Sequence, residues 1–87
     1  MRYVISPDAA CAPVEDGTVV LNMRTKRYYS LNETGAVIWQ MLESDAPVPT
    51  VIAQLVASYD VDATTAANTV AQLLDELTAE ALIAPAG

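Results

Sequence analysis

The chain has 87 residues, of which 53% are hydrophobic, a fraction typical of a folded domain rather than of a disordered segment. Its formal net charge of −7 disfavours binding to nucleic-acid phosphates and to anionic membrane surfaces. No apolar run approaches the roughly 20 residues that cross a bilayer, and the N-terminus lacks the apolar core of a secretory signal. We therefore expect a single cytoplasmic domain over residues 1–87, and the lone cysteine fits a reducing compartment.

Residues 18–22 and 27–31 have the composition of two β-strands joined by a short polar connector. The second segment alternates with a period of two, so Tyr29 and Leu31 share one face and Tyr28 lies on the opposite face. A strand, a short connector and a second strand together predict a β-hairpin. All strands are expected within about residues 3–31.

A third strand is expected before this hairpin, and two short segments can supply it. Residues 3–5 are apolar, and residues 12–15 lead directly into Asp16-Gly17, a dipeptide that is typical of tight turns. Either segment is long enough to pair with one side of the hairpin. The sequence alone does not choose between them.

Three helices are predicted after the hairpin, over residues 33–43, 48–59 and 63–83. Asn32 and Asp62 are suited to cap the first and the third helix, because their side-chain oxygens can accept from free N–H groups of the first turn. The apolar stripe of the third helix consists of Ala66, Val70, Leu73, Leu74, Leu77 and Ala81. This order predicts an α+β fold of the winged helix-turn-helix-like type, a three-stranded antiparallel sheet followed by three α-helices.

The residue types argue against an enzyme. The chain has no histidine and a single cysteine, Cys11, which excludes Ser-His and Cys-His nucleophile activation and leaves no plausible zinc site. The three glycines form no phosphate-binding loop. Neighbouring acidic residues such as Asp75 and Glu76 point in different directions on a helix and make no catalytic dyad. We expect no catalytic residue, no metal and no cofactor.

Three of the four basic residues, Arg24, Lys26 and Arg27, lie in or next to the connector between the two strands. Two interpretations stay open: a solvated hairpin tip whose charges protect the sheet edge, or a contact for an acidic peptide segment. A winged-helix protein that binds nucleic acid is disfavoured. Its recognition helix would need basic residues, and the predicted third helix has acidic residues but no Lys or Arg.

An unpaired sheet edge is the feature that suits a binding module. If the strand over residues 27–31 lies at the edge, its free N–H and C=O groups can accept an extended peptide as a further strand. The third helix would then form the second wall of the same groove. The alternative is that Tyr28 merely covers the hairpin and that charged residues blunt the edge.

The segments Val20-Leu21-Asn22 and Tyr28-Tyr29-Ser30-Leu31-Asn32-Glu33-Thr34-Gly35-Ala36-Val37-Ile38-Trp39 resemble the hallmark of the coenzyme PQQ synthesis protein D-like family. Residues 55–61 and 73–77 resemble the second and third helices of that family, so the resemblance extends over residues 14–84. Domains of this family are recognition elements of ribosomally made, modified peptides. A chain of this length most resembles the stand-alone leader-binding protein of split lasso-peptide systems.

The resemblance implies that the chain binds the leader segment of a precursor peptide as an extra strand, between the third strand and the third helix. The precursor would then pass to a separate leader peptidase of the cysteine-protease type and to an asparagine-synthetase-like cyclase. Another modified-peptide pathway, such as radical-enzyme maturation of the PQQ type, is the alternative. The expected state is a monomer or a weak edge-to-edge homodimer, without nucleic-acid or membrane partners.

Carried onto this sequence, the resemblance implies contacts from the third strand and the third helix. The expected leader-binding residues are Arg27, Tyr28, Tyr29, Ser30, Leu31, Ala67, Val70, Ala71 and Leu74. The expected core positions are Leu21, Leu31, Ile38, Trp39 and Leu42. Because the chain is acidic, we expect its leader to carry Lys or Arg beside its apolar residues.

Overall fold

The computed structural model describes residues 2–86, which form two small antiparallel sheets and three helices. The elements in chain order are β1 (Tyr3–Ile5), β2 (Ala9–Val14), β3 (Gly17–Asn22), β4 (Arg27–Asn32), α1 (Glu33–Glu43), α2 (Val48–Ser58), α3 (Ala63–Ala79) and β5 (Ile83–Pro85). Strands β2, β3 and β4 form one sheet in that spatial order, and β1 pairs with β5 in the other. The predicted α+β fold, with a three-stranded antiparallel sheet followed by three helices, is confirmed.

The strand that precedes the hairpin in the main sheet is β2, which begins three residues before the predicted segment 12–15. Residues 3–5 form a strand too, but they pair with β5 at the other end of the chain, with Val4 opposite Ala84. The strand β5, after the third helix, is not predicted from the sequence. A three-residue pairing between the two chain ends has neither a turn signal nor a long alternation that would reveal it.

The end of α3 differs from the prediction, because the helix stops at Ala79 and not at residue 83. Ala81 has a positive φ of 59°, its N–H donates to the carbonyl of Thr78, and the N–H of Leu82 donates to the carbonyl of Leu77. These two bonds are the Schellman arrangement, in which glycine usually occupies the left-handed position. Alanine stands there instead, so the usual sequence signal for a helix end is missing.

The core lies between the inner face of the main sheet and the three helices. Its buried apolar residues are Val20, Leu31, Ile38, Trp39, Leu42, Val51, Leu55, Ala66, Val70, Leu74, Leu77, Leu82 and Ile83. Four of the five expected core positions are confirmed, but Leu21 is wrong. It lies opposite Tyr28 on the outer sheet face with 39% of its surface exposed, while its neighbour Val20 is fully buried. Successive strand residues point to opposite faces, so only one of this pair can face the helices.

The end of β4 and the first turn of α1 are tightly packed against each other. Asn32 caps α1, since its side-chain oxygen accepts from the N–H of Gly35 at 2.9 Å. A Cβ atom added at Gly35 would lie 3.2 Å from the Cβ of Leu31, tighter than ordinary van der Waals contact. Glycine therefore lets the first turn of α1 sit directly on the end of β4.

Asn22 joins the β3–β4 turn to the C-terminal end of α3. Its side chain is buried, and its oxygen accepts from the backbone N–H groups of Arg24 at 3.0 Å and Thr25 at 3.2 Å. Its side-chain NH₂ donates to the backbone carbonyl of Glu80 at 3.1 Å. One buried amide thus shapes the hairpin turn and fixes the distance from that turn to the helix.

The left-handed conformation of Ala81 predicts a stabilising substitution. Ala81→Gly should raise the free energy of unfolding by about 0.5–1 kcal/mol, because glycine adopts a positive φ without the steric cost of a Cβ atom. Urea denaturation followed by circular dichroism measures the change. The control Ala79→Gly, in the last helical turn, should instead lower the free energy by about 0.5–1 kcal/mol. Destabilisation by both variants would contradict the strain assigned to Ala81.

Candidate functional site

Strand β4 is an edge strand of the three-stranded sheet. Among residues 2–86 it pairs with β3 on one side, and its other side faces α3. The strand is six residues long, from Arg27 to Asn32, and its outward N–H and C=O groups have no neighbouring strand. Such an edge is a template for an additional strand.

A groove with a volume of about 400 Å³ lies between this edge and helix α3, and we call it the β4–α3 groove. One wall is formed by residues 29–32 of β4. The other wall is formed by α3 residues three or four positions apart, Ala66, Thr69, Leu73 and Glu76. This spacing brings their side chains onto one helical face, as the 3.6-residue period requires.

The two ends of the β4–α3 groove differ in polarity. Near the end of β4, its lining is largely apolar and includes Ile38 of α1, Leu55 of α2, and Tyr59 and Val61, which follow α2. Ile38 and Leu55 are nearly inaccessible to solvent, while Val61 is 36% exposed. This end can receive an apolar side chain, because it offers hydrophobic surface without a charged group.

Two polar contacts between β4 and α3 mark the opposite end. The hydroxyl of Tyr29 donates to the carboxylate of Glu76, and the guanidinium of Arg27 pairs with the carboxylate of Glu80 at 3.3 Å. The Arg27 side chain is 71% exposed, so its ion pair contributes little to stability. Tyr29 and Glu76 are both half-buried, which makes their contact the stronger tie across the groove.

The contact with Glu76 changes the ionisation of Tyr29. A hydrogen bond to a carboxylate stabilises the protonated phenol, and it raises the pKa of Tyr29 to about 12. Partial burial of the ring and the negative charges of Glu76 and Glu80 act in the same direction. The hydroxyl therefore remains a hydrogen-bond donor throughout the physiological pH range.

The structure separates the predicted site residues on β4, and the pleat of the sheet accounts for the outward direction of Tyr28. Tyr29, Ser30 and Leu31 line the β4–α3 groove. Arg27 lies beyond its polar end in the ion pair with Glu80. Tyr28 points away on the outer sheet face, where 71% of its surface is exposed.

The predicted site residues on α3 lie outside the groove lining. Val70 and Leu74 are buried in the core, with 1% and 4% of their surface exposed. Ala67 and Ala71 are on the helix but do not line the groove. Val70 and Leu74 are predicted both as core residues, from the apolar stripe, and as leader contacts, from the family resemblance. The structure places both in the buried core cluster.

The groove residues outside the predicted binding set include Ala66, Thr69, Gln72, Leu73 and Glu76 on α3, together with Tyr59 and Val61 after α2. On the helix, the lining row of Thr69, Leu73 and Glu76 lies next to the core row. A helical row that mixes polar and apolar residues, next to a fully apolar row, is the sequence signal that indicates such a groove-lining face.

The family model for coenzyme PQQ synthesis protein D, PqqD, matches residues 17–83 of the chain. The matched segment contains β3, β4 and all three helices, and therefore both walls of the β4–α3 groove. The chain belongs to the PqqD family. No curated protein sequence matches the chain significantly.

Two solved structures are similar to this PqqD-family chain over nearly its whole length. One is TbiB1 in complex with the TbiA(beta) leader peptide, with a TM-score of 0.89, 26% identity, and coverage of 97% of this chain and 98% of that chain. The other is lasso peptide synthetase B1 complexed with the leader peptide, with a TM-score of 0.84, 29% identity, and coverage of 98% and 100%. Both of these relatives are peptide complexes.

Potential metal-ligating side chains do not gather in the part of the chain that the structure describes. No cluster of three or more of them occurs within residues 2–86. None of the described helices combines the length and the apolar character needed to cross a membrane.

The Tyr29–Glu76 contact predicts a change in the alkaline titration of this PqqD-family protein. In Glu76→Gln, the pKa of Tyr29 should fall from about 12 towards the ordinary value near 10, because the carboxylate that favours the protonated phenol is gone. Absorbance of the tyrosinate band measures it. In the control Tyr28→Phe, the transition near pH 12 should persist.

The same contact predicts how stability depends on pH. Since folding raises the pKa of Tyr29, its contribution to stability is fully present below pH 10 and is lost as the pH rises towards 12. The free energies of unfolding of the parent protein and of Tyr29→Phe, measured by denaturation over this range, should converge as the pH rises. Parallel curves would contradict the assignment.

Proposed function

We propose that this chain binds the leader segment of a ribosomally made precursor peptide, which adds to the free edge of β4 as a fourth strand. The observation that carries the proposal is that edge, six residues long and facing α3 across a groove. The two similar solved proteins, which match nearly the whole chain, are complexes with leader peptides. The family match includes both walls of the same groove.

The groove divides recognition between backbone and side chains. Backbone hydrogen bonds to β4, each worth about 0.5–1.5 kcal/mol net, would set the register of the peptide without reading its sequence. Alternate peptide side chains would point into the groove, where the more accessible Tyr59, Val61 and Leu73 favour an apolar residue. Of the predicted contacts, we retain Tyr29, Ser30 and Leu31 as leader-binding residues and replace the helix set by Thr69, Gln72, Leu73 and Glu76.

The role we assign is tethering without chemistry. A module that holds the leader raises the effective concentration of the precursor at a separate enzyme. The partners we propose are a leader peptidase of the cysteine-protease type and an asparagine-synthetase-like cyclase, in the cytoplasm. One of the two similar solved proteins is named lasso peptide synthetase B1, which favours this pathway over maturation of the PQQ type.

Nucleic-acid binding is not supported by the surface of the described chain. The net charge is −7, and α3 carries Asp75 and Glu76 but neither Lys nor Arg. A helix of this composition would repel the phosphate backbone. This domain therefore shares the winged-helix topology with nucleic-acid-binding proteins but lacks the basic recognition helix that they require.

A binding titration tests the proposal directly. Fluorescence polarisation of a labelled leader, taken from the precursor gene next to that of this chain, should rise saturably with protein concentration. A scrambled peptide of the same composition should not bind, because it keeps the charge but loses the order of groove-facing residues. Equal binding or no binding of both peptides would contradict leader recognition.

A matched pair of helix variants tests the location of the site. Thr69→Arg places a long charged side chain in the groove, and a bound peptide would have to desolvate it, so we expect leader affinity to fall about tenfold or more. Asn68→Arg makes the same charge change at the preceding exposed position, outside the groove lining, and should leave affinity within about twofold.

Circular dichroism should show both variants folded, because both positions are exposed. Equal loss of leader affinity in Thr69→Arg and Asn68→Arg would place the peptide elsewhere on the protein.

A further inference from the structure

Glu76 stands out among the residues that line the β4–α3 groove. It is the acidic member of the lining, it is half-buried, and one of its carboxylate oxygens accepts the hydroxyl of Tyr29. The ion pairs among residues 2–86 join Arg2 to Asp45, Arg24 to Asp8 and Arg27 to Glu80. None of them neutralises Glu76.

A bound peptide would change the surroundings of this carboxylate. In the free protein, water reaches the groove and solvates the negative charge. A strand added along β4 would displace part of that water, and desolvating an unpaired carboxylate is unfavourable. A phenol hydrogen bond satisfies one oxygen but brings no positive charge, and a carboxylate can accept several hydrogen bonds. The second oxygen of Glu76 is therefore suited to a cationic donor.

We infer that Glu76 is a specificity-determining residue that receives a Lys or Arg side chain of the bound peptide. The inference rests on the proposed function and deepens it by naming a required chemical class at one position of the leader. The cation would form a charge-assisted hydrogen bond with Glu76 while the Tyr29 hydroxyl keeps its own, so both carboxylate oxygens are paired.

The geometry fixes where that basic residue must lie. Thr69, on the apolar half of the groove wall, and Glu76 are two helical turns apart, or about 10.5 Å along the α3 axis. An extended peptide covers this distance in about three residues. Side chains that face the same wall are an even number of residues apart, so the basic residue should lie two or four positions from the apolar residue that fills the groove.

The general acidity of the protein does not explain such a preference. A net charge of −7 attracts any cationic peptide, whatever the spacing of its charges. Asp75, the neighbour of Glu76, carries the same charge but is exposed and does not line the groove. The pair Glu76→Gln and Asp75→Asn therefore removes the same charge in two places, only one of which faces the peptide.

Selection from a displayed library of random peptides tests the inference and does not require the natural leader. The targets are the parent protein, Glu76→Gln and Asp75→Asn, with Thr69→Arg used to discard peptides that bind outside the groove. The parent and Asp75→Asn should enrich Lys or Arg two or four positions from an apolar residue. Glu76→Gln should lose this enrichment. Its amide oxygen still accepts from Tyr29, so the wall of the groove is preserved.

Titration of one enriched peptide makes the test quantitative. On the parent protein, moving its basic residue by one position should weaken binding about tenfold, because the charge then points away from Glu76. On Glu76→Gln the two peptides should bind equally. Circular dichroism confirms that the variants are folded.

Failure of the role assigned to Glu76 and failure of the proposed function give different results in these experiments. Groove-binding peptides with no preferred basic position, or equal losses in Glu76→Gln and Asp75→Asn, would overturn the role of Glu76 and leave peptide binding standing. Recovery of no peptide that is sensitive to Thr69→Arg would overturn the proposed function and the inference together.

Discussion

The position of strand β4 relative to the helices governs the shape of the candidate site. Two contacts with little freedom fix that position. At one end, the buried amide of Asn22 ties the β3–β4 turn to the carbonyl of Glu80 at the end of α3. At the other end of β4, Leu31 packs against Gly35 of α1, where there is little room for a Cβ atom. A groove of about 400 Å³ lies between β4 and α3.

This arrangement explains why an unpaired edge is compatible with a stable small domain. The inner face of the sheet contributes to the core, since Val20 and Leu31 are buried there. Among residues 2–86 the outer edge of β4 has no strand neighbour, as is also true of β2, and α3 lies across the groove from the β4 edge. The Tyr29–Glu76 hydrogen bond crosses the groove at one end, so an incoming strand meets an apolar opening at the other. The shape therefore restricts both the register and the chemistry of what can bind.

The direction of side chains is predictable from the sequence in strand β4 but not in helix α3. The period of two in β4 correctly separated Tyr29 and Leu31 from the exposed Tyr28, because alternation follows from backbone geometry alone. Rotation of α3 about its own axis was not predictable in the same way. Its apolar stripe includes both Leu73, which lines the groove, and Leu74, which is buried in the core. Adjacent leucines are equivalent in sequence, and only the tertiary packing of α3 distinguishes them.

The β3–β4 hairpin, the three helices that follow it and the cap at Asn32 follow from the amino-acid sequence, because they depend on local propensities and on neighbours a few residues away. The lack of histidine and the single cysteine are also read directly from the sequence, and they exclude Ser-His and Cys-His nucleophile pairs within the chain. The β1–β5 pairing, the left-handed end of α3 at Ala81 and the meeting of Tyr29 with Glu76 emerge only in the folded chain. Each of these joins residues that are distant in sequence or lacks a residue-type signal. Their energies arise from contacts that exist only after the chain has folded.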